Sequence, residues 1–194
     1  DSDDAQGYME TLQRDLFEAN VYVMTPNGKV IDLPNGSTPI DFAYRIHTEV
    51  GHSTVGALVN DVLVPLNTPL KTGDVVKIRT SKQFAGPSED WLKIVKTNGA
   101  KNKIRSYLTK KDLEEKQAQT ERGEQLLKEE LRKRQLEIDD YMDPKKLETI
   151  FGQCSVSNYT DFMYAIAIKS LSTQSVVEKL VNQRKTNILD NDSV

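Results

Sequence analysis

The sequence is poor in the residues that build covalent or metal-bound frameworks, with one cysteine and two histidines among 194 residues. A single thiol forms no internal disulfide and no cysteine-based metal site, so we expect Cys154 to be a buried small hydrophobe. The longest apolar run, residues 162–168, is much shorter than the roughly 20 residues needed to cross a bilayer. No positively charged start precedes an apolar segment. These absences predict a soluble, unsecreted protein of the reducing cytoplasm, without a membrane partner.

Enzyme signatures are missing as well. The sequence contains no phosphate-binding loop, dinucleotide fingerprint, zinc-ligand spacing or nucleophile elbow. His47 and His52 stand five residues apart, a spacing that does not place two ligands on one helix face. The aspartates show no paired arrangement that would bind Mg²⁺. We therefore expect no catalytic residue, no metal site and no cofactor in this chain.

The net charge of −3 argues against a general nucleic-acid-binding protein, but it hides a strong segregation of charge. Residues 1–20 carry six acids and one base, residues 21–111 carry seven acids and thirteen bases, and residues 112–194 carry sixteen acids and twelve bases. No acid lies between Asp90 and Asp112. The bases of that interval are Lys93, Lys96, Lys101, Lys103, Arg105, Lys110 and Lys111.

This run of bases has two interpretations. Trp91 and Tyr107 lie within it, and bases interleaved with aromatic rings are typical of surfaces that contact a phosphate backbone. The alternative is a solvated helix face whose two rings belong to the protein core. The sequence leaves both open.

Residues 20–82 have the pattern of a β-grasp domain. Thr38 is placed to N-cap a helix that has Pro39 at its first position and Asp41 three residues after the cap. We expect this helix to end at Gly51. The predicted strands cover residues 21–25, 29–33, 55–59, 62–64 and 75–79. Two strands, a helix and further short strands predict a mixed sheet with one helix packed on it.

Helical spacing dominates the rest of the chain, so the predicted fold class is α+β, a β-grasp (ubiquitin-like) domain followed by an all-α domain over 83–182. The N-caps of its helices are assigned to Ser88, Asp143, Ser157 and Ser172, with a further helix starting at Ala100. The charged stretch 110–136 predicts an exposed helix; a coiled-coil partner helix is the alternative. The last three helices are expected to form a compact bundle. Residues 1–19 are assigned to a linker and short helix carrying Met9, Leu12, Leu16 and Phe17, and residues 183–194 to a second linker.

The end of the β-grasp helix gathers unusual chemistry. Tyr44, Arg45, His47 and His52 place rings, a guanidinium and hydrogen-bonding groups close together in the sequence. Flat rings and guanidinium groups stack on unpaired bases, which favours a nucleic-acid site. The alternative is that Tyr44 belongs to the core and that His47, as an imidazolium, caps the helix C-terminus.

Several stretches resemble the TGS domain of long Rel/SpoT (p)ppGpp synthetase/hydrolases. They are VYVMTPNG at 21–28, DLP at 32–34, GSTPIDFAYRIH at 36–47 and VGH at 50–52. Three further stretches resemble the end of that domain and the start of the family's helical domain: LKTGD at 70–74, SEDWL at 88–92 and KIR at 103–105. Residues 10–17 resemble the family's connection from the synthetase domain, and residues 143–182 match mainly by position.

The resemblance implies a regulatory fragment of a stringent-response enzyme. Such enzymes make (p)ppGpp from ATP and GDP or GTP, and hydrolyse it, in an amino-terminal half that is absent here. Their TGS and helical domains hold deacylated tRNA on the ribosome, so the implied partners are tRNA, ribosomal RNA and the enzyme's own catalytic half. By this resemblance His47 contacts the tRNA 3′ CCA end, with Arg45 and His52 nearby. The bases that would face RNA are Lys93, Lys96, Lys101, Lys103 and Arg105.

Two other functions compete with RNA sensing. The helical domain could instead restrain the synthetase and hydrolase domains, within the chain or through a protein partner, without direct RNA contact. A TGS appendage of a threonyl-tRNA synthetase or a GTPase is disfavoured, because the downstream helical sequence resembles neither catalytic body.

Overall fold

A computed structural model of the chain describes the backbone of residues 2–192 and the side chains of residues 4–14 and 19–191. Leu16 and Phe17, two apolar residues of the expected short helix, lie outside the described side chains. The chain divides into two compact units, residues 1–110 and residues 111–194. This division falls later than the expected boundary at residues 82/83, so the first helices after the β-grasp strands belong to the first unit.

The first unit contains both sheets. Its elements are α1 (Ser2–Ala19), β1 (Asn20–Met24), β2 (Val30–Pro34), α2 (Pro39–Ile46), α3 (Thr48–His52), β3 (Thr54–Val59), β4 (Val62–Val64), β5 (Val76–Thr80), α4 (Trp91–Ile94) and the start of α5 (Asn98–Lys133). Helix α1 begins at Ser2, so residues 2–7 are helical and not the linker that their acidity predicted.

The strand order confirms the β-grasp fold. β1 and β2 form an antiparallel hairpin, and β4, β3 and β5 form an antiparallel sheet in that order. An isolated parallel bridge between Met24 and Val75 joins the two sheets and makes the arrangement mixed. Val23, Leu33 and Phe42 are almost fully buried in the cluster between the hairpin and α2. Truncating Phe42 to alanine would therefore cost about 3–5 kcal/mol.

Helix α2 begins as its sequence predicts. The Thr38 hydroxyl accepts from the Asp41 amide at 3.5 Å, and the Asp41 carboxylate accepts from the Thr38 amide at 2.9 Å, which completes a capping box. The expected end at Gly51 is wrong. The helix ends at Ile46, because His47 has extended backbone angles (φ −166°, ψ 148°), and a separate short helix, α3, follows it.

Helices α4 and α5 pack on the other face of α2. Ile40, Tyr44, Trp91 and Ile104 form one buried cluster there. Ser88 is not the N-cap of α4, since the cap position is Asp90 and no side chain caps that helix. The helix expected to start at Ala100 and the exposed helix expected over residues 110–136 are one helix, α5, which starts at Asn98 in the first unit and ends at Lys133 in the second.

The second unit is a helical bundle. After the end of α5 come α6 (Ile138–Tyr141), α7 (Pro144–Glu148), a 3₁₀ turn (Gly152–Cys154), α8 (Tyr159–Ala167) and α9 (Thr173–Asp192). Its core contains Leu127, Leu131, Ile150, Phe162 and Val177, each almost fully buried. The middle of α5 is exposed, as the charged sequence predicts.

The ends of the bundle helices show which caps the sequence located. Asp143 caps α7, accepting from the Lys145 amide at 3.1 Å, and Ser172 accepts from the Ser175 amide at 3.0 Å at the start of α9. Helix α8 is capped by Asn158, whose side chain accepts from the Asp161 amide at 2.8 Å, and not by Ser157. Residues 183–192 continue α9 and are not the linker that was expected. Cys154 is buried, as predicted.

Two features are absent from the described residues. No helix within residues 2–192 is long and apolar enough to cross a membrane. No cluster of three or more His, Cys, Asp or Glu side chains with metal-binding geometry occurs in the part of the chain that the structure describes.

Candidate nucleic-acid interface

His47 lies at the junction of α2 and α3 and caps both helices. Its amide donates to the Ala43 carbonyl at 3.2 Å, which closes α2, and its Nδ1 accepts from the Glu49 amide at 3.1 Å, which opens α3. A backbone amide can only donate, so Nδ1 must carry a lone pair and the ring proton must sit on Nε2. The His47 side chain is exposed. The junction therefore presents an imidazole ring with Nε2–H as its free donor.

This geometry changes the alternative interpretation of His47. The residue is a helix-end cap, as that alternative proposed. However, an imidazolium would point a second N–H at the Glu49 amide, so the cap requires the neutral ring. The partial negative charge at the C-terminal end of α2 is therefore not what holds the His47 ring in place.

Tyr44 and His52 form an internal pair behind this junction. The Tyr44 hydroxyl lies 2.9 Å from His52 Nδ1, and the two rings meet edge to face at 5.3 Å. Burial raises the pKa of Tyr44 well above its ordinary value. Burial also lowers the pKa of His52, opposed by the charge of Glu49 and reinforced by that of Lys103. Both groups are therefore held neutral.

Two further contacts fix the position of His52. Its ring packs against Tyr107 at a centroid distance of 4.8 Å, and the Tyr107 hydroxyl donates to the Ala85 carbonyl at 2.8 Å. A Cβ on Gly51 would lie 2.1 Å from the Tyr44 ring, so only glycine permits α3 to approach Tyr44 this closely. His52 is half-buried and supports the junction, whereas His47 faces solvent.

Arg45 and Lys103 are cations that the fold places beside α2. Arg45 is exposed and pairs with Asp32 at 3.5 Å, an ion pair that solvent screens strongly. Lys103 Nζ donates to the Tyr44 carbonyl at 3.2 Å, in the last turn of α2. Both side chains line a small cleft of about 160 Å³ between α2 and the start of α5. This places two of the predicted bases at the same end of α2 as His47.

The remaining predicted bases do not form one patch. Lys101 and Arg105 are four residues apart on α5 and share a face, while Lys103 lies on the other side of the buried Ile104. Lys93 is exposed on α4. Among the side chains that the structure describes, no carboxylate pairs with any of these four lysines and one arginine: Lys93, Lys96, Lys101, Lys103 and Arg105.

The two aromatic rings among these bases pack against other parts of the first unit. Trp91 is buried and stacks on Phe84 at 6.0 Å with an interplanar angle of 21°. Tyr107 is half-buried between His52 and the backbone at Ala85. The alternative interpretation of the basic run therefore holds for Trp91, whereas Tyr107 keeps part of its ring at the surface.

Sequence reasoning missed the residue that joins α2 to the α4–α5 connection. The Asp41 carboxylate is buried and accepts from the Lys96 amide at 3.0 Å, the Thr97 amide at 2.9 Å and the Thr97 hydroxyl at 2.8 Å, in addition to the amide and hydroxyl of Thr38. The capping box was visible in the sequence. The second set of donors lies 55 and 56 residues away, and no local pattern reveals it.

Comparison with known families assigns most of the chain to two domains. Residues 21–80 match the model of the TGS domain, and residues 112–181 match the model of the RelA/SpoT AH domain. A GTP pyrophosphokinase of Streptomyces coelicolor is 41% identical over 182 residues, which is 93% of this chain and 21% of that protein. A probable guanosine-3′,5′-bis(diphosphate) 3′-pyrophosphohydrolase of Synechocystis is 39% identical over 100% of this chain and 25% of that protein.

A third relative is named as both a synthase and a hydrolase. The bifunctional (p)ppGpp synthase/hydrolase RelA of Mycobacterium tuberculosis is 38% identical over 90% of this chain and 23% of that protein. The chain thus spans about a fifth to a quarter of the length of these curated relatives.

Proposed function

The chain belongs to the RelA/SpoT family, as its TGS and AH domains and its relatives of about 40% identity show, and from this premise we propose that it senses uncharged tRNA on the ribosome. In this proposal the TGS domain binds the tRNA 3′ CCA end, and the helical domain contacts tRNA and ribosomal RNA. The chain itself is regulatory and non-catalytic, within a cytoplasmic parent protein that synthesises or hydrolyses (p)ppGpp, or does both.

The observation that carries the proposal is the geometry of His47. The imidazole is exposed, yet the Glu49 amide fixes its orientation and its tautomer. A flat ring with an oriented Nε2–H donor suits an unpaired terminal base, which offers a π face and acceptor atoms. Arg45 and Lys103 lie at the same end of α2 and supply the positive charge that a phosphate backbone requires. In this proposal His52 supports the site from behind.

The bases on α5 supply a second, less specific contact. Lys101 and Arg105 share one helix face and have no carboxylate partner among the described residues. Charges arranged in this way bind phosphates without reading sequence, which suits contact with tRNA or ribosomal RNA.

The salt dependence of RNA binding tests these assignments. Reversing the charge at Lys101 and Arg105 should lower the slope of log affinity against log salt by about 0.7 to 0.9 for each phosphate that the protein no longer neutralises. Lys133→Glu, an exposed change near the end of the same helix, is the matched control. Equal slopes for the wild type and the double variant would show that these bases contact no phosphate and form an ordinary solvated helix face.

One feature favours the alternative of a protein partner. Val62 and Leu63 on the edge strand β4 are each 62% exposed, and an exposed apolar edge strand is a surface that proteins commonly cover. If the chain acts by restraining its catalytic half, it should bind that half when separated, and Leu63→Lys should abolish this binding. Binding of tRNA that is unaffected by Leu63→Lys would favour RNA sensing.

A further inference from the structure

The second unit contains a cavity that neither RNA sensing nor the protein-partner alternative uses. It has a volume of about 210 Å³ and lies between α6–α7 on one side and the last turns of α9 on the other. Its lining includes Tyr141 and Lys146 from the first side and Arg184 and Asn187 from the second. Apart from Leu180, the α9 residues of the lining belong to the segment 183–191, so the cavity exists because this segment is helical.

Two cations, one from each side of this cavity, converge on the Asp140 carbonyl. Lys146 Nζ donates to the Asp140 carbonyl at 3.0 Å, and Arg184 Nη1 donates to the same oxygen at 3.4 Å. Among the described residues, Asp140 alone supplies a carboxylate to the lining, and this carboxylate pairs with Arg184 at 3.5 Å. Among the described side chains, those of residues 4–14 and 19–191, Lys146 pairs with no carboxylate. One positive charge of the lining is therefore not balanced.

The two cations also have hydrogen-bond donors to spare. An ammonium group has three N–H donors and a guanidinium group has five, and Asp140 takes only a part of them. The Asn187 amide oxygen accepts from Gln183 Nε2 at 3.4 Å, which leaves its amide nitrogen as a further donor. Arg184 is held in position because its guanidinium lies 5.5 Å from the centre of the Tyr141 ring.

The floor of the cavity is apolar. Tyr141 and Leu180, which also line it, are 8% and 3% exposed and belong to the bundle core. Since a water molecule takes about 30 Å³ of liquid volume, the cavity has room for a phosphate-sized anion and a small attached group. Donors from several directions suit a tetrahedral oxyanion with three or four acceptor oxygens better than a planar carboxylate with two.

We propose that this cavity binds a phosphoryl group, either as inorganic phosphate or as part of a small phosphorylated molecule. The phosphoryl oxygens accept from Lys146, Arg184 and Asn187, and an attached organic group lies against Tyr141 and Leu180. Because both sides of the cavity contribute donors, the ligand bridges α7 and the end of α9. Binding therefore stabilises residues 183–191 as helix.

Hydrogen exchange on the 194-residue chain tests this proposal, with inorganic phosphate, a nucleoside monophosphate and acetate as probes at constant ionic strength. We expect phosphate to slow exchange of the amides of residues 183–191 saturably, and acetate to have little effect. Lys146→Gln should weaken the apparent affinity for phosphate on the order of tenfold, the effect of losing one charge-assisted hydrogen bond. Lys145→Gln, its exposed neighbour outside the lining, should leave the affinity within about twofold of wild type.

The variants separate the possible outcomes. Lys146 is exposed, so its replacement should leave the fold intact, and Arg184→Gln with Lys185→Gln as its control repeats the comparison on α9. Tighter binding of the nucleoside monophosphate than of phosphate would identify an organic phosphate ester as the ligand class, and equal binding would identify inorganic phosphate. Protection by acetate equal to that by phosphate, or equal affinities of Lys146→Gln and Lys145→Gln, would overturn the proposal.

Discussion

Replacing His47 by asparagine and by glutamine separates its two tasks, capping α3 and offering an Nε2–H donor. The amide oxygen of asparagine falls near the position of Nδ1 and can accept from the Glu49 amide, so His47→Asn keeps the cap but has no donor at Nε2. Glutamine reaches the Nε2 position with an amide N–H, but it cannot cap as well. The two variants should therefore rank in opposite order for folding stability and for RNA affinity.

The expected magnitudes follow from the contacts. Loss of the cap at α3 should cost about 1 kcal/mol in His47→Gln, and His47→Asn should melt like the wild type. For RNA, both variants lose the ring, and His47→Asn also loses the donor. Its affinity for a free 3′ end should fall by about 1–3 kcal/mol, the range for removal of one base stack. His47→Gln should bind RNA more tightly than His47→Asn despite its lower stability.

Fluorescence anisotropy with a labelled deacylated tRNA, together with thermal melts of each variant, measures both rankings. His47→Glu serves as a third variant, since it removes the ring and adds a charge that phosphate repels. If His47→Asn melts normally and binds RNA as tightly as the wild type, then His47 is a structural cap alone. If the two variants rank in the same order in both assays, the assignment of the Nε2–H donor is wrong.

Three further predictions concern the framework of the site and of the bundle. Asp41→Ala should destabilise the first unit by more than about 3 kcal/mol, measured by urea unfolding, because it removes the acceptor of five hydrogen bonds to a buried carboxylate; a loss of stability below about 1 kcal/mol would refute this. Gly123→Ala should destabilise the second unit by about 1–3 kcal/mol, since the new Cβ would lie 2.0 Å from the Met163 carbonyl oxygen, whereas Gly99→Ala, with nothing within 4 Å, should not. The folded state lowers the pKa of His52, so the unfolded state binds more protons, and the free energy of unfolding should fall as the pH drops below 6.5; an equal pH dependence in His52→Gln would contradict this.

Local signals in the sequence were enough to locate most elements of the first unit. The capping box of Thr38 and Asp41, the turn between β1 and β2 and the β-rich stretches each act over a few residues, so a single sequence reveals them. The break at His47 was missed because the apolar spacing continues past it. The break coincides with the hydrogen bond from the Glu49 amide to the His47 imidazole, which caps the start of α3.

Tertiary contacts decide the features that the sequence did not reveal. Residues 183–192 have no clear apolar stripe and looked like a linker, yet they continue a helix whose Leu180 is buried and whose Arg184 packs over Tyr141. Proximity in the sequence places His52 beside His47, but its contacts with Tyr44 and Tyr107 turn it inward. Position along the chain predicted which residues gather near α2, and packing decided which of them face solvent.

The affinity of the chain for one tRNA with a free and with an aminoacylated 3′ end tests the central proposal most directly. A site that encloses the terminal ribose near His47 would collide with an esterified amino acid, which gives discrimination by steric exclusion. We predict that deacylated tRNA binds more tightly than the aminoacylated form, and that His47→Asn removes most of this difference. Equal affinity of the wild-type chain for both forms, or no measurable affinity for either, would contradict a role in sensing uncharged tRNA.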